Sequence, residues 1–227
     1  MYVTDYLFLA LLVVFLASLY AQYRVNATFQ KYSRLLCSRG ISAADAAQAI
    51  LTANGVTGVS IEQISGNLTD HYDPRSNTIR LSSPVYGSTS VSAIGVAAHE
   101  AGHAVQYARH YLPVKIRTAI LPAVQFGSNA CMILILLGLV FSFPLLSYLG
   151  CAFFGLTTLF QFVTLPVEFD ASRRALRALS GVGILNQNEV RAAGKVLRAA
   201  ATTYIAAFAM SLLQFLRLFA LVGRRRR

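Results

Sequence analysis

Charged residues are scarce. Only 13% of the 227 residues are Asp, Glu, Lys or Arg, against 56% hydrophobic, and the mean hydropathy is +0.54. Water-soluble domains carry about 25% charged residues, so this shortage excludes one soluble domain and implies a membrane protein. Acidic residues are scarcer still, 9 against 20 Lys and Arg, for a formal net charge of +11. Such an imbalance can mark a nucleic-acid binder, but the basic residues lie scattered beside apolar segments and form no aromatic-interleaved basic motif. Nucleic acid is therefore not an expected partner. The basic residues read instead as topology determinants and contacts with anionic lipid headgroups. Cysteine is limited to Cys37, Cys131 and Cys151, with no metal-like spacing, which argues against a disulfide framework and a Cys-ligated zinc site. No internal repeat or low-complexity linker is apparent.

Long apolar runs are abundant. Tyr6 to Tyr23 has the length needed to cross a bilayer, with Tyr2, Tyr6, Tyr20 and Tyr23 at its edges. No Lys or Arg precedes it and no clear small-residue cleavage site follows, so it reads as a retained anchor and not a signal peptide. Further on, Ala130 to Phe143 and Leu145 to Leu165 suggest two spans joined by a tight turn at Ser142 to Ser147. Thr203 to Val222 is long enough for a fourth, although it holds Gln214 and Arg217 ahead of the Arg224 to Arg227 cluster.

Between the anchor and the paired spans the pattern is that of a folded region. Arg24, Lys31, Arg34 and Arg39 make a basic segment. Ser42 with Asp45 then gives a capping-box-like start to an Ala-rich helix ending at Asn54-Gly55. Val56 to Ile64 alternates as a strand, and Leu68 to Tyr72 and Thr78 to Ser82 flank Asp73-Pro74-Arg75-Ser76-Asn77 as a hairpin-like pair. After Pro166 a polar, basic stretch predicts a helix from Glu168 to Ser180 ending at Gly181, and another beginning near Asn188. The expected organisation is an anchor (1–23), a folded region (24–124), a hairpin of spans (125–166), two helices (167–202) and a last membrane segment (203–227).

The chain is organised around His99-Glu100-Ala101-Gly102-His103, an HExxH pentad within a predicted helix from Ser92 to Arg109, with capping candidates at Gly87 to Ser90. Positions four apart share a helix face, so two imidazoles converge on one zinc ion while Glu100 projects toward its water. Around the pentad the helix is small and apolar, and a carboxylate between two imidazoles is costly to bury there without a cation. Hydrolytic zinc sites usually have three protein ligands. His110 lies too far along the helix axis from His103. Glu168 is better placed, because a pair of spans returns the chain to the side of the membrane it left.

Three motifs carry a family resemblance: Asp70-His71-Tyr72-Asp73-Pro74, then Ser90-Val91-Ser92-Ala93-Ile94 leading into His99-Glu100-Ala101-Gly102-His103-Ala104-Val105-Gln106, and Leu165-Pro166-Val167-Glu168-Phe169-Asp170-Ala171-Ser172-Arg173-Arg174-Ala175-Leu176. In this order they resemble the YugP-type neutral zinc metallopeptidases, and more distantly HtpX and the CAAX prenyl endopeptidases. The resemblance implies a bacterial membrane metallopeptidase, mainly α and polytopic with a small β-hairpin or sheet and a gluzincin-like core. It implies zinc held by His99, His103 and Glu168, with Glu100 as base. Those families commonly place an Asp four residues after the third ligand, whereas this chain has Ser172 there and Asp170 two residues on. The group that orients each ligand His is thus left open.

The chemistry implied is attack by a water made acidic by zinc, to a pKa of about 7, with Glu100 taking its proton and passing it to the leaving amine. His71, Tyr72, Tyr86, Arg173 and Arg174 are candidate oxyanion helpers, His71 because the hairpin can aim it into the cleft. An exposed strand edge suits an extended protein or peptide substrate. Two alternatives stand beside this reading, a site-2-type intramembrane protease and a non-catalytic metal-binding membrane protein or transporter. Against the first, no Asp lies within an apolar span. Against the second, a binding site has no need of Glu100.

Orientation follows from charge. With four spans, Arg24, Lys31, Arg34, Arg39, Arg109, Lys115, Arg117, Arg173, Arg174, Arg177, Lys195 and Arg198 share the side of the zinc region, and only the terminal arginines oppose them. The positive-inside bias puts the zinc region in the cytoplasm, and Asp5 before the first span with Arg24 after it agrees. The alternative for the last segment is a re-entrant or interfacial helix that returns the arginines to the cytoplasm.

Overall fold

The computed structural model describes residues 2–224. It is mainly helical, with a three-stranded sheet, and it divides into two compact units interleaved along the chain. One unit gathers Met1–Ala21, Lys115–Pro166 and Thr203–Arg227; the other gathers Gln22–Val114 and Val167–Thr202.

In chain order the helices are α1 (Tyr2–Ser33), α2 (Ala43–Ala53), the short α3 (Ser83–Tyr86), α4 (Val91–Ala108), α5 (Leu112–Val140), α6 (Pro144–Gly181) and α7 (Gln187–Arg224). Four of them contain stretches long and apolar enough to cross a membrane: Tyr6–Ser33, Leu112–Val140, Pro144–Gly181 and Gln187–Gly223. The terminal arginines from Arg225 on lie outside the described residues. Each of these helices runs beyond the apolar segment read from the sequence. The first continues into the basic segment, past Arg24 and Lys31 to Ser33, and α7 joins the polar helix near Asn188 to the last apolar run without a break. Pro122 and Pro166 sit inside helices and do not end them. A proline removes one donor and crowds the carbonyl four residues back, but apolar helices tolerate that when the remaining ladder is intact.

The first unit packs closely where small residues allow it. A Cβ at Gly150 would meet the Cys131 carbonyl oxygen at 2.6 Å, and one at Gly138 would meet Ser147 Oγ closer still, so α5 and α6 approach at glycines. Thr158 and Ser211 share a buried hydroxyl contact of 2.9 Å between α6 and α7. Arg217 stacks its guanidinium 5.6 Å from the Phe8 ring centre, which gives this charge an aromatic face.

The second unit has a core built on α4. Ala43, Ala46, Ala47, Ile50 and Leu51 of α2 and Ile79 and Leu81 of the sheet are buried with Ile94, Ala97, Ala98 and Ala101 of α4 and Ala175 and Leu179 of α6. Strands β1 (Ser60–Ile64), β2 (His71–Asp73) and β3 (Thr78–Ser82) lie in the order β1-β3-β2. The hairpin-like pair forms with His71 opposite Arg80, and β1 adds to β3 in parallel, Ser60 opposite Thr78. Both early strands are shorter than the apolar alternation suggests because positive φ angles interrupt it, +74° at Gly58 and 54° at Leu68. The helix caps follow the sequence. Ser42 accepts from the Asp45 N–H and Ser90 from the Ala93 N–H, and Gly55 takes a φ of 68° past α2.

Candidate metal centre

His99, Glu100 and His103 sit on α4, whose neighbours are mostly alanine. Small side chains let another helix come near, and Gly102 inside the pentad permits the closest approach. A Cβ there would lie 2.6 Å from the Ala171 carbonyl oxygen of α6. This contact sets Glu168 and Ser172, one on each side of Ala171, against the two imidazoles. Glu168 Oε2 lies 3.2 Å from His99 Nε2 and 3.5 Å from His103 Nε2. All three side chains are nearly closed off, Glu168 most of all at 3% exposed.

Two bonds of about 2.1 Å meeting at a tetrahedral centre put their outer atoms about 3.4 Å apart. The two His-to-Glu168 distances match that edge. The imidazoles also have their other nitrogens engaged: His99 Nδ1 is 3.1 Å from Ser172 Oγ, and His103 Nδ1 is 3.0 Å from Gln106 Oε1. Both Nε2 atoms therefore point inward at one carboxylate oxygen. Burial opposes a charge on His103, yet the hydrogen bond to Glu168 and the charges of Glu168 and Glu100 outweigh it and hold its pKa above the ordinary imidazole value. The cluster favours a positive charge at its centre. Its donor set, two imidazoles and a carboxylate, suits zinc.

Glu100, 7% exposed, lies beside this cluster, near enough for its charge to act on His103. Its Oε2 accepts the main-chain N–H of Tyr72 across 2.9 Å, so β2, an edge strand, abuts the pentad. Tyr72 lays its ring edge-on to Tyr107, one turn beyond His103, with 5.5 Å between centres, and donates its hydroxyl to Asn77 Oδ1 at 2.7 Å. Asp70, just before β2, accepts from the Ser82 N–H and hydroxyl and ties the strand's start to the end of β3. Burial pushes its carboxyl pKa up despite those bonds.

The structure brings together His99, His103 and Glu168, with Glu100 beside them. His71 is exposed and its Nδ1 lies 2.9 Å from the Thr69 carbonyl oxygen, outside the cluster. Arg174 is paired with Asp170 and stacks over Tyr111, while Arg173 is exposed. His110 is also exposed, with a φ of 53° past the end of α4. Glu168 does not open a helix, as its place after Pro166 suggested, but lies in the interior of α6, so no helix N-terminus explains its position. Gln106 was missed as a site residue. Its signal was its place three residues after His103, on the same side of the helix.

Comparisons with known proteins identify the family. Residues 7–223 match the family described as "Putative neutral zinc metallopeptidase". The chain belongs to that family. It is also 44% identical over 200 residues, 88% of this chain and 89% of the relative, to the "Putative membrane protease YugP" of Bacillus subtilis (strain 168). No solved structure matches. As a member of the neutral zinc metallopeptidases, the chain carries near its N-terminus the first of four apolar helices, and the family match takes in all four nearly end to end.

Proposed function

We propose that this protein is a membrane-embedded zinc endopeptidase with a gluzincin-like centre, His99, His103 and Glu168 holding the metal and Glu100 acting as general base. The observation that carries the reading is the convergence of both Nε2 atoms on Glu168 Oε2 with Glu100 directly alongside. Zinc held there supplies a Lewis acid that makes water nucleophilic near neutral pH and polarises the scissile carbonyl. Glu100 takes a proton from water as its oxygen bonds to the carbonyl carbon, then delivers that proton to the amide nitrogen as the C–N bond breaks. No covalent adduct with the protein is required. Ser172 and Gln106 keep the rings aimed inward, and the nearly complete burial of Glu168 keeps bulk water from competing for it.

The rest of the outer edge of β2 suits an extended substrate, since the Tyr72 N–H, itself held by Glu100, puts that edge beside the base. Main-chain pairing there favours unfolded or membrane-associated protein segments with little sequence selectivity. The charge distribution supports a centre facing the cytoplasm of a bacterial cell. Among the described residues no Asp lies in the apolar core of a membrane-length helix, which disfavours a site-2-type arrangement, and Glu100 has no part in a purely metal-binding protein.

The test is hydrolysis of an unfolded model protein by the purified full chain in detergent. Cleavage should stop on removal of zinc by a chelator and return when zinc is restored. Cleavage that persists in metal-free protein would overturn the reading.

A further inference from the structure

Gln106 is fully buried and its amide is fully used. Its Oε1 lies 3.0 Å from His103 Nδ1, and its Nε2 donates to the Val167 carbonyl at 2.8 Å and to Asp170 Oδ2 at 2.9 Å. A carbonyl can only accept, and Asp170 Oδ2 is already the acceptor of the Arg174 Nε–H in an ion pair. Two acceptors on one side of the amide demand both of its hydrogens. Its oxygen is then forced toward His103, and an amide oxygen has no hydrogen to offer.

We propose that Gln106 is a positioning residue that fixes the tautomer of His103. With Oε1 opposite, Nδ1 keeps this bond only while it carries a hydrogen, which reserves Nε2, the atom that faces Glu168, for a metal. The amide is itself held in this sense by Val167 and Asp170, the residue before Glu168 and the one two after it. One side chain thus ties the ring of α4 to the turn of α6 that carries the carboxylate. His99 has no such constraint. Its Nδ1 meets the Ser172 hydroxyl, which can donate or accept, so Ser172 allows either tautomer. Behind the His103 ring, Gln106, Asp170 and Arg174 thus form one chain of hydrogen bonds.

This inference rests on His103 being a metal ligand, and the experiment separates the two. Long-range proton–nitrogen NMR spectra of full-length protein in detergent, with and without zinc, should show a hydrogen on His103 Nδ1, slow to exchange with solvent. Gln106→Met, similar in length but without the amide, should mix the tautomers, speed that exchange and lower zinc affinity by about 10 to 100-fold. Ser172→Ala should leave the His103 spectrum unchanged. A wild-type His103 whose Nδ1 carries no hydrogen, or a Gln106→Met protein that binds zinc as the wild type does, would overturn the assignment. If Gln106→Met fails to fold, the wild-type spectrum alone decides. A wild-type protein that binds no zinc would sink the peptidase reading while leaving the tautomer result standing.

Discussion

The main-chain N–H of Tyr72 and the Oε2 atom of Glu100 are joined by a 2.9 Å hydrogen bond, so the edge strand holds the base of the pentad in place. Glu100→Gln keeps an oxygen for that bond and keeps the shape of the side chain, but it cannot take a proton. The variant should bind zinc as the wild type does and lose about 10² to 10⁴ in hydrolysis rate. Zinc content by elemental analysis beside a turnover assay checks this. Retained turnover would remove Glu100 as base.

Glu168→Ala removes the buried oxygen shared by both imidazoles and leaves two ligands where three are expected. Zinc content and activity should both fall. Titration against a chromophoric chelator measures the first directly, and an unchanged affinity would mean that another group completes the site.

The raised pKa of His103 has a consequence for metal binding. The ring must give up its proton before Nε2 can bind zinc, so protons compete with the metal up to and beyond the ordinary imidazole value. Affinity should therefore climb with pH through the neutral range and level off only above His103's own pKa. A chelator competition series across that range reads the profile. A flat profile would contradict it.

Gly102→Ala should push α4 away from α6, because the added Cβ has 2.6 Å to the Ala171 carbonyl and main-chain atoms cannot swing aside. A cost of about 1 to 3 kcal/mol in stability is expected, as for other overpacked sites, together with weaker zinc binding. Gly87→Ala, where a Cβ meets nothing within 4 Å, is the matched control and should change neither. Thermal unfolding in detergent with and without zinc compares them.

Orientation is testable in intact cells. With the zinc region in the cytoplasm, a cysteine at exposed Ser76 should react with a membrane-impermeant maleimide only after lysis. Labelling before lysis would place the region outside.

Much of the site was legible because its chemistry is local. The pentad lies within one helical turn, and Ser42, Ser90 and Gly55 act within a few residues of themselves, as short-range caps do. Glu168 was legible for another reason, the pair of apolar runs between it and the pentad. What escaped the sequence depends on distant partners. Nothing in Ser60 to Ile64 says that it pairs in parallel with Thr78 to Ser82, because that register is set by distant partners, β3 beside it and α3 against it. Pro166 looked like a boundary since a proline usually is one, and the apolar helix carries it through to Glu168. The roles of Ser172 and Gln106 were hidden because a serine or glutamine acquires an acceptor's duty only from what it faces.

His99 and Glu168 are separated by 69 residues of chain. A ribosome adding about 5 to 20 residues per second needs several seconds to cover that distance. Throughout that interval the pentad has been made and its third partner has not, and α5 and most of α6 must be synthesised first. The emerging chain therefore carries an incomplete centre past its own unfolded segments. The cluster of His99, His103 and Glu168 can therefore close only after α5 and most of α6 have been made.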